Sequence, residues 1–263
     1  MPPDACNWRG ARPSHHAMSE AINIFEVNGA LDTADLAEQF ARSRRIQIRN
    51  VLTDPTAEAL RAALAQTTPW GMALQAADGE PQDFRVEELR QQAHAQRAQA
   101  LNKEVHEAAA KGHYSFRYAR YPMVKAYQEG WNPGGLHDVL IEYINTEPFL
   151  ELVRQVTRIP ELKKADGQAT LFGPQHFLGL HQDQQLDEGW RIAYVLNMTA
   201  LEWRPDWGGY LLFFDDDGDV IEGYMPRFNT LNLFAVPQHH AVSFVPPFAP
   251  QGRIAISGWF RDQ

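Results

Sequence analysis

This sequence predicts a mainly β fold with flanking helices, and three observations carry that expectation. From about Pro160 onward the chain reads as eight short apolar runs separated by turn residues, the spacing of a barrel or a two-sheet sandwich. Before that point the longer apolar patterns are helical in period. The length of 263 residues, with 44% hydrophobic and 11% aromatic side chains, supplies a core for one large domain or two small ones.

The elements follow in order. Residues 1–20 hold prolines, Arg9, Arg12 and the pair His15–His16, without the apolar stretch of a signal peptide, and are expected to be a disordered tail. Asp54–Pro55 offers a cap and a first-turn proline for a helix that continues through Leu64. Arg85 to Lys111 contains neither Gly nor Pro, stops at Gly112, and reads as the longest helix. Leu136–Asn145 and Pro148–Thr157 form a helical pair broken at Thr146–Glu147. The β runs then occupy 171–172, 177–183, 191–198, 210–214, 220–224, 230–236, 240–245 and 253–260. Asp216–Asp217–Gly218 is a hairpin turn between two of them. A calcium loop at Asp215, Asp217 and Asp219 is disfavoured, because the glycine is at the wrong offset and no twelfth-position glutamate closes the loop.

Composition excludes several functions. Twenty-four basic against 33 acidic side chains give a net charge of −9, with no basic block to compete for a phosphate backbone, so nucleic acid is not an expected partner. No run of about 18 apolar residues spans a membrane. The single cysteine, Cys6, allows neither an intrachain disulfide nor a Cys-rich zinc site, which points to a reducing, cytoplasmic setting.

Chemistry gathers in the last hundred residues. In His181-Gln182-Asp183 the imidazole and the carboxylate are two apart, so on a strand they share one face, as two ligands of one metal must. A further histidine comes from His239–His240. Two imidazoles and one carboxylate occupy one face of an octahedron and leave three positions open, the ligand set of non-haem iron(II) oxygenases. Arg253 opens an apolar strand ending in Ser257-Gly258-Trp259-Phe260. Buried there, it needs a partner, either an acidic side chain or a bound dicarboxylate gripped bidentately.

The order His-x-Asp, Trp207-Gly208-Gly209 with its apolar strand, Phe228-Asn229-Thr230-Leu231, His240-Ala241-Val242, Arg253 and Ser257-Gly258-Trp259-Phe260 resembles the 2-oxoglutarate- and iron(II)-dependent dioxygenases of the prolyl-hydroxylase type. The resemblance covers roughly residues 110–263. It implies a double-stranded β-helix, a jelly-roll variant, as the core at about 110–263, within a single domain over 21–263 whose part 21–160 is helix-rich. It implies His181, Asp183 and His240 as iron ligands, with His240 preferred over His239 because Val242 follows at the expected spacing. It further implies Arg253 for the distal carboxylate of 2-oxoglutarate and Ser257 beside it. Fe(II), 2-oxoglutarate and O2 would be the cofactors. Relatives often place a tyrosine where this chain has Val195, and some a serine where it has Ala255, so the co-substrate's hydrogen bonds must come from elsewhere.

The implied reaction hydroxylates an unactivated C–H bond, with succinate and CO2 as co-products, on a prolyl residue of a protein or peptide. Two alternatives stand beside it: a free amino acid or other small molecule as substrate, or a cupin-like metal or carboxylate binding module without turnover. The stretch from His113 to Tyr121 either clamps a peptide or is a first barrel strand.

Overall fold

A computed structural model describes residues 25–183, 186–199 and 202–263. The tail 1–20, with Cys6, His15 and His16, lies outside them. Helix α1 (Thr33–Ser43) is capped by Asp32, whose carboxylate accepts the Asp35 N–H at 3.1 Å. Strand β1 (Arg45–Arg49) and helix α2 (Asp54–Thr67) follow, with Pro55 in the first turn of α2. A hairpin of β2 (Gly71–Ala76) and β3 (Gln82–Phe84) comes next.

The expected single helix over 85–111 is two, α3 (Val86–Leu89) and α4 (Gln92–Ala110). The Glu88 carboxylate folds back to accept the Arg85 N–H at 2.7 Å, closing α3 as a separate turn that redirects the chain out of β3. Helix propensity runs through the whole segment, but packing on the sheet sets its direction: α4 buries Ala98 and Val105 with Leu74 of β2 and Phe84 of β3.

Strand β4 (Ser115–Tyr121), helix α5 (Met123–Glu129) and the expected pair α6 (Leu136–Ile144) and α7 (Glu147–Thr157) complete the first part. Nine strands then follow: β5 (Lys164–Ala165), β6 (Gln168–Phe172), β7 (Phe177–His181), β8 (Trp190–Asn197), β9 (Leu211–Phe214), β10 (Val220–Tyr224), β11 (Thr230–Ala235), β12 (His240–Val242) and β13 (Arg253–Arg261). Strand β7 ends at His181, so Asp183 stands just past it. In the β9–β10 turn the Asp215 carboxylate accepts the N–H groups of Asp217 and Asp219 at 3.1 and 2.9 Å, the turn chemistry expected there.

All strand pairs are antiparallel. One face of the jelly roll runs β3-β2-β4-β6-β13-β8-β11-β1, the other β7-β12-β9-β10, and β4 joins the two by pairing with both β6 and β7. The core is thus a double-stranded β-helix with helices on its outer side. Its central strand β8 is buried on both faces: Ile192, Tyr194 and Leu196 pack outward with Phe149, Leu140 and Phe260 under the helices, while Ala193 and Val195 point inward. Fully burying Phe149 contributes about 1.5–3 kcal/mol to this outer layer. The inward faces of the two sheets leave a cavity of about 950 Å³.

Candidate active site

Three side chains meet at one end of this cavity. His181 and His240 face each other across the β7–β12 ladder, their ring centroids 4.1 Å apart. Asp183 turns back over them from beyond the strand end, with Oδ1 3.7 Å from His181 Nε2 and Oδ2 3.7 Å from His240 Nε2. One ligand atom from each residue lies within 4.8 Å of the others. The backbone fixes how the rings are protonated. His181 Nδ1 lies 2.9 Å from the Gly179 carbonyl, and His240 Nδ1 2.9 Å from the Gln238 carbonyl. A carbonyl only accepts, so each Nδ1 carries the proton and each Nε2 lone pair faces Asp183. Burial and the neighbouring His181 ring push the His240 imidazole below the ordinary histidine range, toward the neutral form that binds metals. His239 faces the other way, 3.9 Å from Asp216.

Arg253 stands deeper in the barrel, 2% exposed. Its Nε donates to Asn197 Oδ1 at 3.3 Å, its Nη1 to the Gly209 carbonyl at 3.1 Å, and its guanidinium lies over the Phe172 ring at 5.4 Å. Among the described residues no carboxylate pairs with it. Burial alone pushes its pKa down to about 10, which still leaves it charged at neutral pH. The glycine pair sets up this contact. Gly208 and Gly209 both have positive φ, and a Cβ at Gly208 would sit 2.0 Å from the Phe244 carbonyl oxygen. The Asn197 amide nitrogen beside Arg253 is buried without a partner. An unpaired buried cation next to an unpaired buried donor fits a bound carboxylate.

Ser257 lies on the cavity wall two residue pairs from Arg253, its hydroxyl 3.5 Å from the Gln168 amide nitrogen. Val195 lines the wall where relatives carry tyrosine, and Tyr194 points outward, its hydroxyl donating to the Asp166 carbonyl at 2.8 Å. Polar groups that sequence reasoning left without a role come from neighbouring strands: Thr170 of β6, Asn197 of β8 and Tyr118 of β4. Tyr118 stacks on Phe172, ring centroids 4.9 Å apart. The alternation Tyr114, Phe116, Tyr118, Arg120 was the available signal, since every second residue of β4 faces the cavity. Of the two expectations for this stretch the barrel strand is the one observed, with its inward side chains lining the cavity.

Residues 167–261, from β6 to β13, match the model of the 2OG-Fe(II) oxygenase superfamily. That stretch of the chain belongs to this superfamily. All five residues singled out in sequence lie within it. The 2OG-Fe(II) oxygenases use Fe(II), 2-oxoglutarate and O2, and the protein is accordingly a 2-oxoglutarate-dependent dioxygenase. With that, the module without turnover gives way to an enzyme. Among solved structures the chain resembles a Pseudomonas putida prolyl-4-hydroxylase, with a TM-score of 0.54 and 16% identity over 88% of this chain and 99% of that one. It also resembles a 2OG-Fe(II) oxygenase family oxidoreductase from Burkholderia pseudomallei, with a TM-score of 0.55 and 10% identity over 91% and 94%. A third is the non-heme alpha ketoglutarate dependent epimerase SnoN from nogalamycin biosynthesis, with a TM-score of 0.50 and 8% identity over 88% and 82%. At such identities the likeness is one of fold. No curated protein matches the chain. No helix among the described residues is long and apolar enough to cross a membrane.

Proposed function

We propose that this oxygenase hydroxylates a prolyl residue in a protein or peptide, with His181, Asp183 and His240 holding Fe(II) and Arg253 gripping the distal carboxylate of 2-oxoglutarate. The observation that carries the ligand roles is the pairing of a compact His-Asp-His cluster with a buried, carboxylate-free guanidinium in one cavity. When bound, iron would activate O2, the oxidant, and 2-oxoglutarate would give up two electrons on oxidation to succinate and CO2, one oxygen atom going to succinate and the other to the substrate. The chain's own residues do the rest. The two Nδ1–H bonds to Gly179 and Gln238 hold the imidazoles as neutral donors. Arg253, with Asn197 beside it, orients the co-substrate along the barrel. Ser257, Thr170 and Tyr118 offer hydroxyls on the same wall in place of the tyrosine absent at Val195. Phe213, Val242 and Leu211 keep water from that end of the cavity.

The shape of the mouth favours an extended substrate. Gln75 and Pro81, from either side of the β2–β3 turn, reach the cavity, and a second hollow of about 540 Å³ adjoins it through Arg120, Pro122 and Lys125. Trp131 and Tyr121 line that hollow, Trp131 beneath the Arg85 guanidinium at 3.8 Å. Succinate formation and mass shift, followed across a panel of proline-containing peptides and a panel of free amino acids, test the reading. Iron-dependent addition of 16 mass units, here roughly one oxygen atom, to a peptide prolyl residue is expected. Oxidation confined to the free amino acids would overturn it.

A further inference from the structure

The Asp183 carboxylate is held by a group outside the metal triad. The Trp259 indole Nε1–H donates to Asp183 Oδ2 at 2.9 Å. Trp259 is itself fixed from behind. Its ring stacks on Trp190 at 3.9 Å with 15° between planes, the Arg261 guanidinium lies over the Trp190 ring at 5.6 Å, and Arg261 pairs with Asp166. Asp166 closes the loop by accepting the Trp259 backbone N–H at 2.8 Å. Gly258 makes that approach feasible, because a Cβ there would meet the Asp166 carbonyl oxygen at 2.3 Å. The indole has no freedom to turn away, so its donor is pre-aimed at one carboxylate oxygen.

We infer that Trp259 is a positioning residue for the metal centre, its indole N–H occupying Asp183 Oδ2 so that Asp183 offers an ion Oδ1 alone. A carboxylate left unrestrained can chelate through both oxygens, taking up a coordination position that the co-substrate or O2 needs. A hydrogen bond committed to Oδ2 disfavours that mode and fixes the carboxylate plane, as partners of metal ligands generally do. The inference rests on the ligand reading of the triad given above.

The test uses the full chain and Co(II), whose visible absorption reports coordination number. Trp259→Phe keeps the ring and its stack on Trp190 but deletes the donor. Its Co(II) spectrum is expected to shift toward a higher coordination number, with affinity by calorimetry about tenfold weaker, the lower end of such effects. Trp259→His, which retains a ring N–H, is expected to recover part of the affinity. A Trp259→Phe protein with wild-type spectrum and affinity overturns the inference while the ligand reading stands. Wild-type protein that binds no Co(II) overturns both. If Trp259→Phe does not fold, the wild-type protein decides: the Trp259 indole N–H resonance, in indole-labelled protein, is expected to move as Zn(II) is titrated, and one that ignores the ion overturns the inference.

Discussion

Asp183 and Arg253 separate, at the level of single side chains, what binds from what folds. Asp183 sits past the end of β7 and makes its contacts with His181, His240 and Trp259, none of which belongs to the packed outer core. Asp183→Ala is therefore expected to abolish turnover and Co(II) binding while thermal unfolding of the metal-free protein shifts by only a few degrees, about 1 kcal/mol or less. Arg253→Gln removes a buried charge that no acidic side chain offsets. Its expected signature is a rise of about 10–100-fold in the 2-oxoglutarate concentration needed for succinate formation, equivalent to about 1.5–3 kcal/mol for hydrogen bonds to a charged group. The thermal stabilisation that added 2-oxoglutarate confers on the wild type is expected to vanish with it.

Between elements, Asn229 ties the N-terminal part to the barrel. It precedes β11 with φ near 53°, 1% exposed, accepting the Leu52 N–H at 2.9 Å and donating to the Leu52 carbonyl at 2.8 Å. Asn229→Ala would strand both backbone groups in the interior and add a left-handed penalty for alanine. A loss of about 2–4 kcal/mol is expected, read as a lower urea midpoint at unchanged slope. The motif Phe228-Asn229-Thr230-Leu231 was visible in sequence, but its partner was not, since Leu52 is 177 residues away. Strand β1 was legible and went unread: Arg45-Ile46-Gln47-Ile48-Arg49 alternates, and Ile46 and Ile48 are buried against the helices. The two-residue offset from α3 to α4 was not legible, because each local preference there is helical and only the turn demanded by the sheet breaks it.

Across the whole molecule, stability is tied to pH through histidines outside the cluster of His181, Asp183 and His240. Burial pushes His137, which bonds Thr68 at 3.0 Å, and His176, near Arg117, down to about 4, against about 6.5 for an unfolded histidine. The unfolded chain therefore binds more protons between those values. Stability is full above pH 6.5 and falls as the pH drops toward 4, by up to about 1.4 kcal/mol per pH unit for each ring. Urea titrations at pH 7 and pH 5 are expected to show the loss, and His137→Asn to lessen it. Equal midpoints at the two pH values would refute this account.

The last hundred residues announced their own chemistry. Period-two patterning placed the barrel strands, His-x-Asp set two candidate ligands on one side of the chain, and Arg253 stood out as a lone cation in an apolar strand. Those are local properties, carried by neighbours in sequence. What only the tertiary structure decided was which distant groups share a space: that His240 faces His181, that Arg253 has no acidic partner, that Tyr118 and Thr170 stand on the wall where Val195 offers no hydroxyl, and that Trp259 reaches Asp183. The reason is physical. Antiparallel register sets such meetings through hydrogen bonds between strands tens of residues apart, and no local preference encodes that distance.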